Sequence, residues 1–176
     1  IGDGAAAAII VSTKKAKELG LEHAVKVEAC ALSSGYDYEP GIGIEPPKAG
    51  ATAIYESAGV SPEDLDVIEL HDASAISEIM YYEYLGLCPT GEGGNFVESG
   101  ATTLGGSIPV NTSGGLMRKG HPVGATGISQ LVELTWQLRG NAGERQVENA
   151  KVALAENGGG FIGQDVAALV MTVLSR

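Results

Sequence analysis

Three short apolar runs, "DVIEL" (66–70), "AKVALAE" (150–156) and "DVAALVMTVL" (165–174), are each bounded by polar or glycine-rich residues. Their length and β-branched content predict strands. Between the first two lie segments with helical periodicity. One runs from about Ser74 to Leu85, placing Ile76, Ile79, Met80 and Tyr84 or Leu85 on one face; the other follows His121, with Ile128, Leu131, Val132, Leu134 and Leu138 near one face, and ends at Gly140. Strands alternating with helices predict an α/β layered domain.

The remaining elements fit this frame. "HAVKVEACALSS" (23–34) reads as a strand, and "GAAAAIIVS" (4–12) as another, although Ala5–Ala8 equally suit a helix. "TKKAKELG" is a polar helical turn stopped by Gly20, and "YDYEPGIGIEPP" (36–47) is a loop. Pro46 and Pro47 open an Ala-rich helix through Ala58 that Gly59 closes. "SPED" (61–64) has the spacing of a capped turn. Residues 86–114 read mostly as loop, with "SIPVN" (107–111) a short strand, and "NGGGFIGQ" links the last two strands.

Composition narrows the function classes. The 176 residues suit one domain, with 44% hydrophobic and 19% charged residues. A net charge of −11 and the lack of basic clusters argue against a nucleic-acid partner. Cys30 and Cys88 have neither zinc-site nor disulfide spacing, so no metal is expected and a reducing compartment is, the cytoplasm first. No apolar run is long enough to span a bilayer, and no signal-peptide pattern opens the sequence. Ile1 rather than Met stands first, so the chain is expected to be cut, processed or part of something longer. GxSxG, Walker A and strand–GxGxxG–helix patterns are missing, which removes the main support for a serine hydrolase, a P-loop enzyme or a Rossmann dehydrogenase.

Three places carry candidate chemistry. In "GLMRKGHPVGATG" (115–127), Pro122 suits the first helical position and His121 the N-cap, where the helix dipole disfavours imidazolium. A neutral His121 accepts a proton from a thiol or donates to an oxyanion, although capping alone also explains it. In "ELHDAS" (69–74), His71 and Asp72 sit where a strand hands over to a helix, the functional edge of α/β sheets, with Asp72 also a plausible helix cap. In "AENGGGFIG" (155–163), Glu156 and Asn157 leave a strand beside glycines that a tight hairpin would also explain. Tyr81, Tyr82 and Tyr84 could include an acid, although tyrosines on a helix more often pack, and Cys88 could be reactive, although a lone cysteine is more often a small hydrophobe.

Taken together, "VIELHDAS", "NTSGGLMRKGHPVGATG" and "KVALAENGGG" resemble, in this order, the C-terminal half of a thiolase of the sterol-carrier or nonspecific lipid-transfer type. "YESAGVSPEDLDVIELHD" and "EYLGLCPTGEGG" are similar to the same branch, and "GDGAAAAIIVS" resembles the strand that ends a thiolase N-terminal half. The resemblance implies one α/β half of a five-layer architecture, a mixed sheet with helices on both faces. Residues 1–12 would then be the last strand of the N-terminal half and 13–176 the C-terminal domain.

It also implies an acyl-CoA acyltransferase acting on carbon–carbon bonds of β-ketoacyl-CoA, with coenzyme A as a substrate moiety and no further cofactor. His121 takes the place of the histidine that activates a nucleophilic cysteine and stabilises a thioester or enolate oxygen. His71 takes the oxyanion-hole position, and Ala73, Ser74, Asn111, Gly114 and Gly158 the substrate-binding positions. The family's CxG loop falls on Glu156, Asn157 and Gly158. Both acid/base thiols of the family are thus replaced, by Ala73 and Glu156, and a Glu156 raised in pKa by burial is expected to move the proton instead. The nucleophilic cysteine belongs to the other half, and neither Cys30 nor Cys88 matches it, so the isolated chain is expected to be inactive. A thiolase-fold retro-aldol lyase with a partner protein, or an acyl-CoA or lipid-binding module, is the alternative. The expected partners are the N-terminal half and a second copy or partner protein, covering an exposed apolar face.

Overall fold

The computed structural model describes residues 1–39, 43–163 and 165–176. Pro40, Gly41 and Ile42 of the expected loop over 36–47, and Gln164 of the expected link between the last strands, lie outside the described residues.

Four strands form one mixed sheet: β1 (Lys26–Ser34), β2 (Val67–Glu69), β3 (Val152–Ile162) and β4 (Asp165–Ser175), in the order β1-β4-β3-β2. β1 and β3 flank β4 antiparallel, while β2 pairs with β3 parallel through Val67↔Ala153 and Glu69↔Ala155. The "SIPVN" strand is reduced to a single bridge, Ile68↔Val110, on the outer side of β2. Among the described residues six α-helices accompany the sheet: α1 (Thr13–Glu18), α2 (Pro46–Ala58), α3 (Ala75–Tyr84), α4 (Gly93–Glu98), α5 (Gly115–Lys119) and α6 (Thr126–Arg139). Alternate residues of a strand face opposite sides, and the core divides accordingly. Ile68 and Leu154 pack with α2 and α3, whereas Val67, Ala153 and Ala155 pack under Leu134 and Leu138 of α6. This is the α/β half with helices on both faces that the resemblance implies.

Local signals explain most boundaries. Pro46 and Pro47 start α2 without a side-chain cap, and Gly59 ends it at φ 69°. Ser61 and Asp64 close a capping box over a single 3-10 turn.

Several expectations need correction. Residues 4–12 form no strand: Ile9 and Ile10 are 95% and 81% exposed, and no ladder partner faces them among the described residues. The segment lies against the His121 loop, where Gly2 N donates to His121 O at 3.2 Å. On α3 the buried face carries Tyr81, Tyr82 and Leu85, while Ile76 and Met80 are 64% and 43% exposed. Apolar residues run almost around this helix, and the larger tyrosine rings take the core side. On α6 the buried surface is Leu134 and Leu138 beside a polar stripe of Thr126, Gln130, Glu133 and Gln137, so Ile128 turns outward. The "NGGG" glycines are not a loop, because β3 continues through them, with Gly158↔Leu169 and Gly159↔Ala168 paired. α4 forms inside the segment read as loop.

Candidate active site

β2 and β3 are parallel and end side by side, so Leu70 and His71 leave one strand where Glu156 and Asn157 continue the other. The C-terminal edge of parallel strands is where α/β sheets place ligands. Gln130 of α6 ties the two strands here: its Nε2 donates to Glu156 O at 2.8 Å and its Oε1 accepts from Asn157 Nδ2 at 3.0 Å.

The loop that follows Val110 is folded by buried acids. Glu69, fully buried, accepts from Ser113 N at 3.0 Å and Ser113 Oγ at 2.5 Å, and Lys119 Nζ lies 3.8 Å from it. Burial pushes its carboxyl above the ordinary range, and the Ser113 and Lys119 contacts oppose that shift. Glu133 pairs bidentately with Arg145, at 2.8 and 3.1 Å, and accepts from Thr112 Oγ1. Asp72 does not cap α3; Ser74 does, accepting from Ser77 N. The Asp72 carboxylate instead accepts from Leu116 N at 2.6 Å and Met117 N at 3.3 Å, capping α5 from another element. This approach requires Gly115: at φ +60° a Cβ there would lie 2.1 Å from Asp72 Oδ2.

α5 leads directly to His121. The expected N-cap geometry does not form, because α6 begins at Thr126 and Pro122 closes a turn with Ala125 N and Thr126 N on its carbonyl. The helix-dipole reading of His121 loses its geometric basis, and a hydrogen bond replaces it. His121 Nδ1 is 2.7 Å from Thr126 Oγ1, whose own hydrogen goes to Pro122 O at 3.1 Å. The shared hydroxyl therefore accepts from Nδ1–H, and Nε2 is the ring nitrogen left for a ligand.

The His71 and His121 rings meet edge-to-face, with centroids 4.9 Å apart and planes at 72°. Burial, and then the neighbouring His121, hold His71 below the ordinary imidazole range, so it is neutral at pH 7. Its Nδ1 is buried without a partner. Glu156, fully buried, reaches over the end of β2 to accept from His71 N at 2.9 Å. Burial raises its carboxyl to about 7 against the opposing pull of the His71 amide and the Tyr81 hydroxyl. The arrangement thus puts two imidazoles in edge-to-face contact beside a fully buried carboxyl.

The remaining expected site residues lie around the same strand ends. Ser74 Oγ is occupied in the α3 cap, and Ala73 is exposed with no polar group to offer. Asn111, at φ 52°, accepts from Leu70 N and donates to Glu78 Oε1, fixing the end of β2. Gly114 sits at φ 97° ahead of α5. Gly158 lies over Glu156 and Tyr81, where a Cβ would be 3.5 Å from Glu156 Oε1. Sequence reading missed Glu69, Gln130 and Thr126. A lone carboxylate inside "VIEL" and the polar residues on the buried side of α6 were the available signals.

Comparison with known proteins identifies the family. The family model described as "Thiolase C-terminal domain-like" matches residues 40–172. Sterol carrier protein 2 of Oryctolagus cuniculus is 48% identical over 164 residues, covering 88% of this chain and 30% of that protein. An acetyl-CoA acetyltransferase of Methanothermobacter thermautotrophicus is 43% identical over 164 residues, 91% of this chain and 43% of its own length. The chain thus spans less than half of either relative. The solved structure titled Ltp2-ChsH2(DUF35) aldolase shares the fold, with TM-score 0.73 at 24% identity over 86% of this chain and 39% of that one. Mixed sheet, paired helical faces and the matched family model lead to one conclusion: this chain belongs to the thiolase C-terminal domain-like family.

Proposed function

We propose that the complete protein carrying this chain performs thiolase-like acyl transfer on β-ketoacyl-CoA, with His71 and His121 holding the oxygen that becomes negative and Glu156 moving the proton. A cysteine thiol from the other half of the fold, activated by Nε2 of His121, attacks the β-carbonyl. The bond between the α and β carbons breaks, and its electron pair passes into the thioester enolate. His71 and His121, whose Nε2 now carries the proton taken from the thiol, stabilise that oxygen, and neutral Glu156 delivers a proton to the α carbon, leaving the acyl group as a thioester on the cysteine. The coenzyme A thiol gives its proton to Glu156 and takes the acyl group, and the released cysteine thiolate recovers its proton from His121. In the synthetic direction the ionised Glu156 removes the α-carbon proton. The observation that carries this reading is the 4.9 Å approach of the two rings beside the fully buried Glu156 carboxyl, which accepts from His71 N at 2.9 Å.

Coenzyme A enters as substrate, and the N-terminal half, with a second copy or partner protein, completes the assembly. Among the described residues no helix is long and apolar enough to cross a membrane.

A second reading, retro-aldol cleavage, is favoured by one feature: a carboxylate stands where the family's thiol acid/base would be. The likeness to a structure titled as an aldolase complex points the same way. Incubating the complete protein with β-ketoacyl-CoA plus coenzyme A, and separately with β-hydroxyacyl-CoA, distinguishes the two by product. In the productive assay Glu156→Gln is expected to lower the rate about 100-fold or more. Full activity in that variant would remove Glu156 from the chemistry, and no turnover of either substrate would leave a binding module.

A further inference from the structure

Glu156 projects from β3 on the face shared by Leu154 and Gly158, toward α3. Its Oε2 is engaged by His71 N, while Oε1 is buried and makes no hydrogen bond of ordinary geometry, although the Tyr81 hydroxyl stands near enough to favour the ionised form. A native site rarely leaves a buried carboxylate oxygen unpaired, so this atom calls for a partner. The group that faces it is Tyr81, itself only 7% exposed and held edge-on against Tyr84 at 5.8 Å. A methyl group built on Gly158 would sit 3.5 Å from Glu156 Oε1 and 3.6 Å from Tyr81 Oη, so both oxygens border the space that this glycine leaves open.

We propose that the Tyr81 hydroxyl is the hydrogen-bond partner of Glu156 Oε1 in both protonation states, making Tyr81 a positioning residue for the proton transfer. When Glu156 is neutral, its O–H on Oε1 donates to Tyr81 Oη. When the proton has gone to substrate, the phenol hydrogen turns to donate to Oε1. One hydrogen stays between the two oxygens throughout and only the carboxyl changes charge. Burial and the nearby Glu156 and Asp165 carboxyls hold the phenol far above its ordinary range, so it never ionises. The other titratable groups around Glu156 among the described residues are His71 and Asp72 from the end of β2 and Asp165 from the start of β4. α6 offers the uncharged Gln130, which binds the Glu156 main-chain carbonyl. Tyr81 is therefore the neutral donor able to answer a change of charge on Oε1.

This inference rests on Glu156 being the acid/base group, and its test separates the two. The carbonyl stretch of the protonated Glu156, assigned by its loss in Glu156→Gln, is titrated by infrared difference spectroscopy in the complete protein. The wild-type midpoint is expected near 7. Tyr81→Phe removes the donor to the ionised form and is expected to raise the midpoint by about one unit, moving the matching limb of the rate–pH profile with it. Tyr82→Phe, whose hydroxyl binds Glu78 at 2.7 Å, is expected to leave the midpoint in place. An unchanged midpoint in Tyr81→Phe overturns the proposal, whatever happens to stability. If that variant does not fold, trifluorotyrosine at position 81, a stronger donor, decides: a lowered midpoint supports the pairing and an unchanged one overturns it. Full activity of Glu156→Gln would sink the catalytic reading while a shifted midpoint in Tyr81→Phe still upheld the pairing.

Discussion

Replacing Glu156 by Gln changes how the stability of the fold depends on pH, independently of any assay of activity. Burial raises the Glu156 carboxyl from an ordinary 4.5 to about 7. The folded state therefore binds this proton more tightly than the unfolded chain does. Its contribution is intact below the unfolded pKa and is lost as pH rises through the folded one. A shift of 7 − 4.5 = 2.5 units at about 1.4 kcal/mol per unit amounts to about 3 kcal/mol lost between pH 4.5 and 7. Glutamine has nearly the same shape, keeps an oxygen for His71 N and does not titrate. Urea denaturation of both complete proteins from pH 5 to pH 8 reads the difference, in which the other acids cancel. The variant should gain on the wild type steadily as pH rises, approaching about 3 kcal/mol, with most of the change below pH 7. A difference that is flat across this range would mean that Glu156 is ionised at ordinary carboxylate pH, and the burial argument would be wrong.

His71 has the opposite sign. Its folded pKa is depressed by burial, so its contribution is present above the unfolded value and lost as pH falls below it. Proton NMR of its ring should give a midpoint below 6.5, and a midpoint at or above that value contradicts the burial assigned to it. Gly115→Ala should destabilise by about 3 kcal/mol in urea melts, because the new methyl would meet Asp72 Oδ2 at 2.1 Å on a backbone at φ +60°. A loss below about 1 kcal/mol would show that the α5 cap relaxes easily.

Much of this architecture is legible in the sequence because it depends on local patterns. The β-branched runs became β2, β3 and β4, and Pro46 and Gly59 bounded α2 where they stand. His71 and His121 were singled out by their turns, and the rings come together. Partnerships across the chain were hidden. Asp72 looks like a cap for the helix that follows it, and only the tertiary approach of Leu116 and Met117 shows that it caps α5. Ile76 and Met80 fit an inward face until the rings of Tyr81 and Tyr82 are placed. Residues 4–12 carry strand chemistry, but a strand forms only beside another, and none faces them among the described residues. The polar stripe on α6 breaks the simple pattern because that helix serves the site edge as well as the core.

The central claim is that His71 and His121 share one substrate oxygen. A crystal structure of the complete protein bound to a nonreactive acyl-CoA analogue, with an enolate-like oxygen at the reacting carbon, measures this directly. The account predicts that oxygen within about 3 Å of a ring nitrogen of each histidine. An oxygen held by main-chain amides alone, with the two imidazoles turned away from it, would contradict it.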